Sequence, residues 1–205
     1  MKKLVLLTLL LALGATPAAA QTIGFKIGPT FSKLDIEGAD DDAIDGLTSF
    51  GGGGFIRFGM GGLNLQAEVL AITKGLSVED IIGDEDAEFE VTYVEIPVTA
   101  MFSLGRGPYL FAGPFVGFEV SCTGSFGDLS GECDEDDGER SEMDYGLTGG
   151  LGIEFPMGPG NLLLEGRYAH GLANLNESET PGEDGDVKTR YFAAFVGYSI
   201  SIGRR

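Results

Sequence analysis

Few side chains in this sequence have types and spacings that could do chemistry. His170 is the only histidine. A serine hydrolase would need a serine and an acid converging on that imidazole, and nothing at usable spacing does so. Its place in an alternating segment with Tyr168 and Leu172 reads instead as an interfacial residue, so neither an enzyme nor a cofactor is expected. Cys122 and Cys133 stand eleven positions apart. In an exported chain such a pair suggests a disulfide, which would restrict its loop and contribute on the order of 3 kcal/mol. Free thiols are the alternative; without a nearby histidine the pair does not read as a zinc site. Acidic runs are the third feature: Asp40-Asp41-Asp42, Asp84-Glu85-Asp86 and Asp134-Glu135-Asp136-Asp137-Gly138-Glu139. Hard cations prefer several carboxylate oxygens, which makes Asp134, Asp136, Asp137 and Glu139 candidates for weak calcium or magnesium binding. Gly138 occupies a place where an EF-hand needs a ligand. A solvated acidic rim, or adaptation to a salty medium, would produce the same runs, and these readings stay open.

Seven further charges occur singly. Lys26, Arg57 and Arg167 oppose Glu68, Glu95, Glu154 and Glu165, each at a position that alternates with apolar residues. A charge taken out of water is costly unless paired, so these seven are expected to form an ion-pair network inside whatever the alternating segments enclose.

Those segments begin at Gln21 and have period two, the mark of strands. Eight are predicted, near Thr22 to Leu34, Thr48 to Phe58, Leu63 to Thr73, Phe89 to Phe102, Pro108 to Phe118, Tyr145 to Phe155, Leu162 to Leu172 and Thr189 to Ile202. Strands of about 11 residues, tilted near 45°, cover about 25 Å, the height of a transmembrane barrel's apolar band. The connections alternate in character. Gly59 to Gly62, Ser103 to Gly107 and Met157 to Gly160 are short and free of acids. The long ones, near Asp35 to Gly46, Lys74 to Glu88, Glu119 to Asp144 and Ala173 to Lys188, hold 6, 6, 10 and 5 acids, 27 of the chain's 32. In an up-and-down barrel this order puts every acidic loop on one rim and every short turn on the other.

Composition agrees. Against 32 acidic residues stand 13 basic ones, a formal charge of −19, which excludes nucleic-acid binding through counterion displacement. At 43% hydrophobic the chain is too apolar for an acidic disordered one. Met1-Lys2-Lys3, the apolar run Leu4 to Leu13 and Ala18-Ala19-Ala20 read as a secretory signal peptide over residues 1–20, leaving 21–205 as the barrel domain. No later run is long enough for a transmembrane helix, so a membrane form must be a barrel. The polar faces are rich in Gly, Ser, Thr and Ala, which suits a crowded interior better than a water-facing surface dense in Lys and Glu. Phe31, Phe58, Phe102, Phe118, Phe155 and Tyr168 fall toward strand ends on the apolar face, as aromatic girdles do. The expected fold is an all-β, eight-stranded antiparallel up-and-down transmembrane β-barrel, its interior just wide enough for side chains to fill.

Three stretches resemble a known family. Tyr93-Val94-Glu95-Ile96-Pro97-Val98, Tyr109-Leu110-Phe111-Ala112-Gly113-Pro114-Phe115-Val116-Gly117, and Leu162-Leu163-Leu164-Glu165-Gly166-Arg167-Tyr168 with Gly171-Leu172 are similar to strands of the small eight-stranded outer-membrane β-barrel proteins, the porin-like outer-membrane β-barrel domain family. The resemblance implies residence in the outer membrane with both termini in the periplasm, and does not imply one function. The expected partners are outer-membrane lipid and lipopolysaccharide, with divalent cations at the loops, and the expected state is a monomer with a filled lumen and a structural or recognition role. Two other classes stay open: a narrow passive channel whose acidic mouth favours cations, and a secreted, soluble lipocalin-like binding barrel.

Overall fold

The computed structural model describes residues 21–36, 45–60, 63–78, 87–126, 129–132, 143–173 and 187–202. Among them are nine strands: β1 (Gln21–Ile36), β2 (Asp45–Met60), β3 (Leu63–Val78), β4 (Ala87–Ser103), β5 (Pro108–Phe126), β6 (Leu129–Glu132), β7 (Met143–Met157), β8 (Gly160–Gly171) and β9 (Val187–Ser201). Every pairing is antiparallel, in the order β4-β3-β2-β1-β9-β8-β7-β5-β6, and β4 also pairs with β5. That last ladder closes an eight-stranded barrel; β6 lies outside it as a four-residue partner of the end of β5. Closure matters because an open sheet leaves unpaired N–H and C=O groups at its edges, which lipid cannot satisfy.

The eight segments predicted from alternation are the eight barrel strands, but most run further. β5 continues to Phe126 and β3 to Val78, beyond the predicted ends at Phe118 and Thr73. Lys74 and Asp144 therefore belong to strands, not to the acidic connections, which corrects the sequence-based boundaries. Turn-like composition ended the predicted segments too early, whereas ladder pairing such as Val78 with Ala87 carries the strands on. β6 was not foreseen; four residues are too few for a period to be read.

Side chains alternate across the wall along most of each strand, with register shifts between Gly46 and Gly51 and at Thr92–Tyr93. Phe25, Ile27, Phe50, Val69, Leu110, Leu147, Leu151 and Phe192 face outward, each more than 40% exposed. The outward aromatics Phe31, Phe102, Phe118, Phe155 and Tyr168 stand toward strand ends. Inside, the small residues are joined by large ones that the sequence reading left out: Leu70, Ile72, Phe115, Tyr191 and Phe195 make one buried cluster with Ala169 and Ala193, and Met101, Tyr109 and Phe111 make another. Glycine makes room for them. A Cβ at Gly152 would fall inside the Tyr109 ring. At the turn rim Gly107 has φ of 113°, a region L side chains avoid, and its carbonyl accepts from Glu154 N at 3.0 Å.

Candidate functional site

The barrel's interior is the site the sequence singled out, and its charges are delivered by the alternation that turns every second side chain inward. The middle tier brings together four of the seven single charges. Lys26 Nζ of β1 lies 2.8 Å from Glu68 Oε2 of β3 and 2.7 Å from Glu165 Oε1 of β8. Arg167 Nη2, two residues along β8, lies 2.7 Å from Glu68 Oε1 and 3.1 Å from Glu165 Oε1. Two cations and two carboxylates thus make a closed ring in which each cation touches both acids. Gln66 Nε2 donates to Glu68 Oε1 at 2.8 Å and Tyr109 Oη to Glu165 Oε2 at 3.1 Å, so most of the carboxylate lone pairs that the cations leave over are also used.

Toward the turn rim, Arg57 Nη1 donates to Glu154 Oε1 at 2.7 Å and its Nε to Gln66 Oε1 at 2.9 Å. Gln66 links this tier to the middle one. Between this pair and the turns is a cavity of about 340 Å³ lined in part by Asn64, Arg106, Tyr109 and Asn161.

Toward the loop rim the structure adds residues that the sequence reading missed. Lys74 Nζ of β3 lies 2.6 Å from Glu95 Oε1 of β4 and 2.7 Å from Asp144 Oδ2 of β7. Tyr191 Oη donates to Glu95 Oε2 at 2.6 Å and Thr189 Oγ1 to Asp144 Oδ2 at 2.7 Å. The signal for Lys74 and Asp144 was there: Lys74 continues the even-numbered set of Gln66 and Glu68, and Asp144 that of Gly146 and Thr148. Gln66 is part of that same alternating set; Tyr109 and Tyr191 gave no such signal, because a tyrosine on either face of a strand looks alike in sequence.

Aromatic rings sheathe the cations. Lys26 Nζ stands 5.5 Å from the centroid of Phe195, Lys74 Nζ 5.0 Å from Tyr93 and 5.2 Å from Phe115, and the Arg167 guanidinium carbon 5.0 Å from Phe111. Ring faces attract cations, and here they also wall off water: Lys26, Glu68, Glu95 and Asp144 are each 1% exposed or less. Buried charges in such contact with their counterions cost little as a set and a great deal singly.

The other residues of interest lie elsewhere. His170 is half-buried on the outward face of β8, between the inward Ala169 and Gly171. Cys122 is half-buried on β5. Cys133 and the cation candidates Asp134, Asp136, Asp137 and Glu139 lie outside the described residues, as do residues 1–20. Among the described residues no group of acids, histidines and cysteines is placed to hold a metal ion.

A closed antiparallel barrel with an apolar outer wall and its charges paired within is the architecture of an outer-membrane protein. The chain belongs to the outer membrane protein beta-barrel domain family, whose model matches residues 19–177, and its place is the cell outer membrane. Solved structures similar to it include Ail, the attachment invasion locus protein of Yersinia pestis, at 14% identity, covering 89% of this chain and 99% of that one with a TM-score of 0.48. Neisserial surface protein A is 10% identical, with 89% and 98% covered and a TM-score of 0.46. OprG of Pseudomonas aeruginosa is 13% identical, with 89% and 97% covered and a TM-score of 0.40. No protein of curated function matches.

Proposed function

We propose that this is a non-enzymatic outer-membrane barrel with a side-chain-filled lumen, exported on a leader of residues 1–20, monomeric, and acting structurally or in recognition through its long acidic loops. The observation that carries the reading is the ladder of buried ion pairs, which crosses the bore at three heights from Arg57–Glu154 through the Lys26 ring to Lys74. An ion entering would have to break contacts of 2.6 to 2.8 Å between fully desolvated groups, and eight strands leave little width beside them. The lumen residues then hold the barrel's shape, and the acids stay on the rim that faces outward. A disulfide between Cys122 and Cys133 that restricts the longest loop belongs to the same proposal, supported by the lack of a free cysteine among the described residues. Outer-membrane lipid and lipopolysaccharide are the surroundings of the wall, and divalent cations are candidates at the loops.

Recording from single molecules in planar bilayers tests this reading. The expected trace is silent; discrete cation-selective steps would replace the filled lumen with the narrow channel.

A further inference from the structure

Charge is not spread evenly along the bore. The middle tier sets two cations, Lys26 and Arg167, against two acids, Glu68 and Glu165. Toward the loop rim a single cation, Lys74, meets both Glu95 and Asp144. At the turn rim the excess changes sign. Arg57 is matched there by Glu154, but the second guanidinium lining the cavity, that of Arg106, makes no ion pair or side-chain hydrogen bond among the described residues. The three short turns contain no acid. In a chain of net charge −19, this cavity therefore keeps one uncompensated positive charge.

Its neutral donors are also unused. Asn64 of β3 and Asn161 of β8 line the cavity, and neither amide makes a side-chain hydrogen bond among the described residues. Arg57, whose Nε and Nη1 are engaged, has its Nη2 buried without a partner. A buried donor without an acceptor is costly, and an acceptor brought to the cavity floor would be offered that group. The other walls are apolar: Met101 of β4, Pro108 of β5 and Pro156 of β7. At about 340 Å³ the space stands at the lower end of the range of about 300–1,000 Å³ for small-molecule sites, which is more than a bare ion needs. The turn that carries Arg106 is tied down at its base, where Leu104 N donates to Pro108 O at 2.8 Å and Glu154 N to Gly107 O at 3.0 Å. Ser103 and Arg106 are exposed on that turn, so the cavity opens at the turn rim, which in a barrel of this class faces the periplasm.

We propose that this cavity is a periplasm-facing binding site for a small organic carboxylate, held by the Arg106 and Arg57 guanidiniums and the Asn64 and Asn161 amides, with Met101, Pro108 and Pro156 against its carbon body. Planar guanidinium forks match a carboxylate bidentately. The surplus of a single positive charge suits a monoanion; a doubly charged phosphate would leave one negative charge facing Glu154. The inference goes beyond the function proposed above and does not rest on it, because the cavity lies on the turn side of the Arg57–Glu154 pair.

The test uses the full barrel, labelled with nitrogen-15 and folded in phosphatidylcholine nanodiscs, with benzoate as the probe, benzamide as its neutral isostere and inorganic phosphate as the alternative anion. Benzoate is expected to give saturable shifts of the Asn64 and Asn161 side-chain amides and of the Gly107 backbone amide. Benzamide and phosphate should each bind about tenfold more weakly, and Arg106→Gln should weaken benzoate by about the same factor. Shifts that do not saturate, benzamide or phosphate binding as tightly as benzoate, or unchanged benzoate affinity in Arg106→Gln would each overturn the site. Arg106 is exposed on a turn, so the variant is expected to fold; should it not, the comparison of benzoate with benzamide on the wild-type barrel makes the same decision.

Discussion

Glu68 is the residue on which the middle tier turns, since it accepts from Lys26, Arg167 and Gln66 at once. Replacing it with alanine leaves two buried cations to share Glu165. Breaking a buried pair on one side costs about 3–5 kcal/mol, and we expect a loss of that order, measured by urea unfolding in lipid vesicles. Tyr191→Phe removes only the hydroxyl that donates to Glu95 Oε2. Lys74 stays beside that carboxylate, so the expected loss is smaller, about 1.5–3 kcal/mol for a hydrogen bond to a charged group, in the same assay. Of the nine charges in the three tiers, seven were legible in sequence as lone charges in alternating segments; the contacts they make were not, because alternation gives the face and not the partner.

At the level of elements, the existence and direction of the eight barrel strands were readable, and the short β6 and the strand ends were not. Turn residues and acids crowd the rims, so composition breaks off where hydrogen-bonded pairing continues, as it does for Lys74 and Asp144. Glycine settles how closely elements approach. Gly152→Val would drive a branched side chain into the Tyr109 ring and pull its hydroxyl from Glu165. We expect about 1–3 kcal/mol of overpacking cost, seen as a lower heating temperature for the gel-mobility shift from folded to unfolded barrel. Gly107→Ala places a Cβ at φ of 113° and 2.9 Å from Glu154 O. Strain of about 1–3 kcal/mol should appear in the same shift.

For the whole molecule the decisive property is which face meets lipid. Val69 is 54% exposed on the outer wall, one residue from Glu68 and facing the opposite way. Val69→Arg should destabilise the barrel in lipid by about 2–4 kcal/mol, by refolding into vesicles across a urea series. A soluble lipocalin-like barrel would accept an exposed arginine there with little change. Both rims share this polarity, since outward aromatics end the apolar band at the turns and again at the loops.

The sequence by itself determined the number of barrel strands, the alternation of faces and the membrane, because each is a property of residue order along one strand. Tertiary structure alone decided which charges meet, which aromatic rings cover them, and that Asn64, Arg106 and Asn161 share a cavity. Those depend on register between strands far apart in the chain, with β1 and β9 the extreme case. Closing the barrel fixes that register through the pairing of every strand with two neighbours at once, and no single segment carries the information.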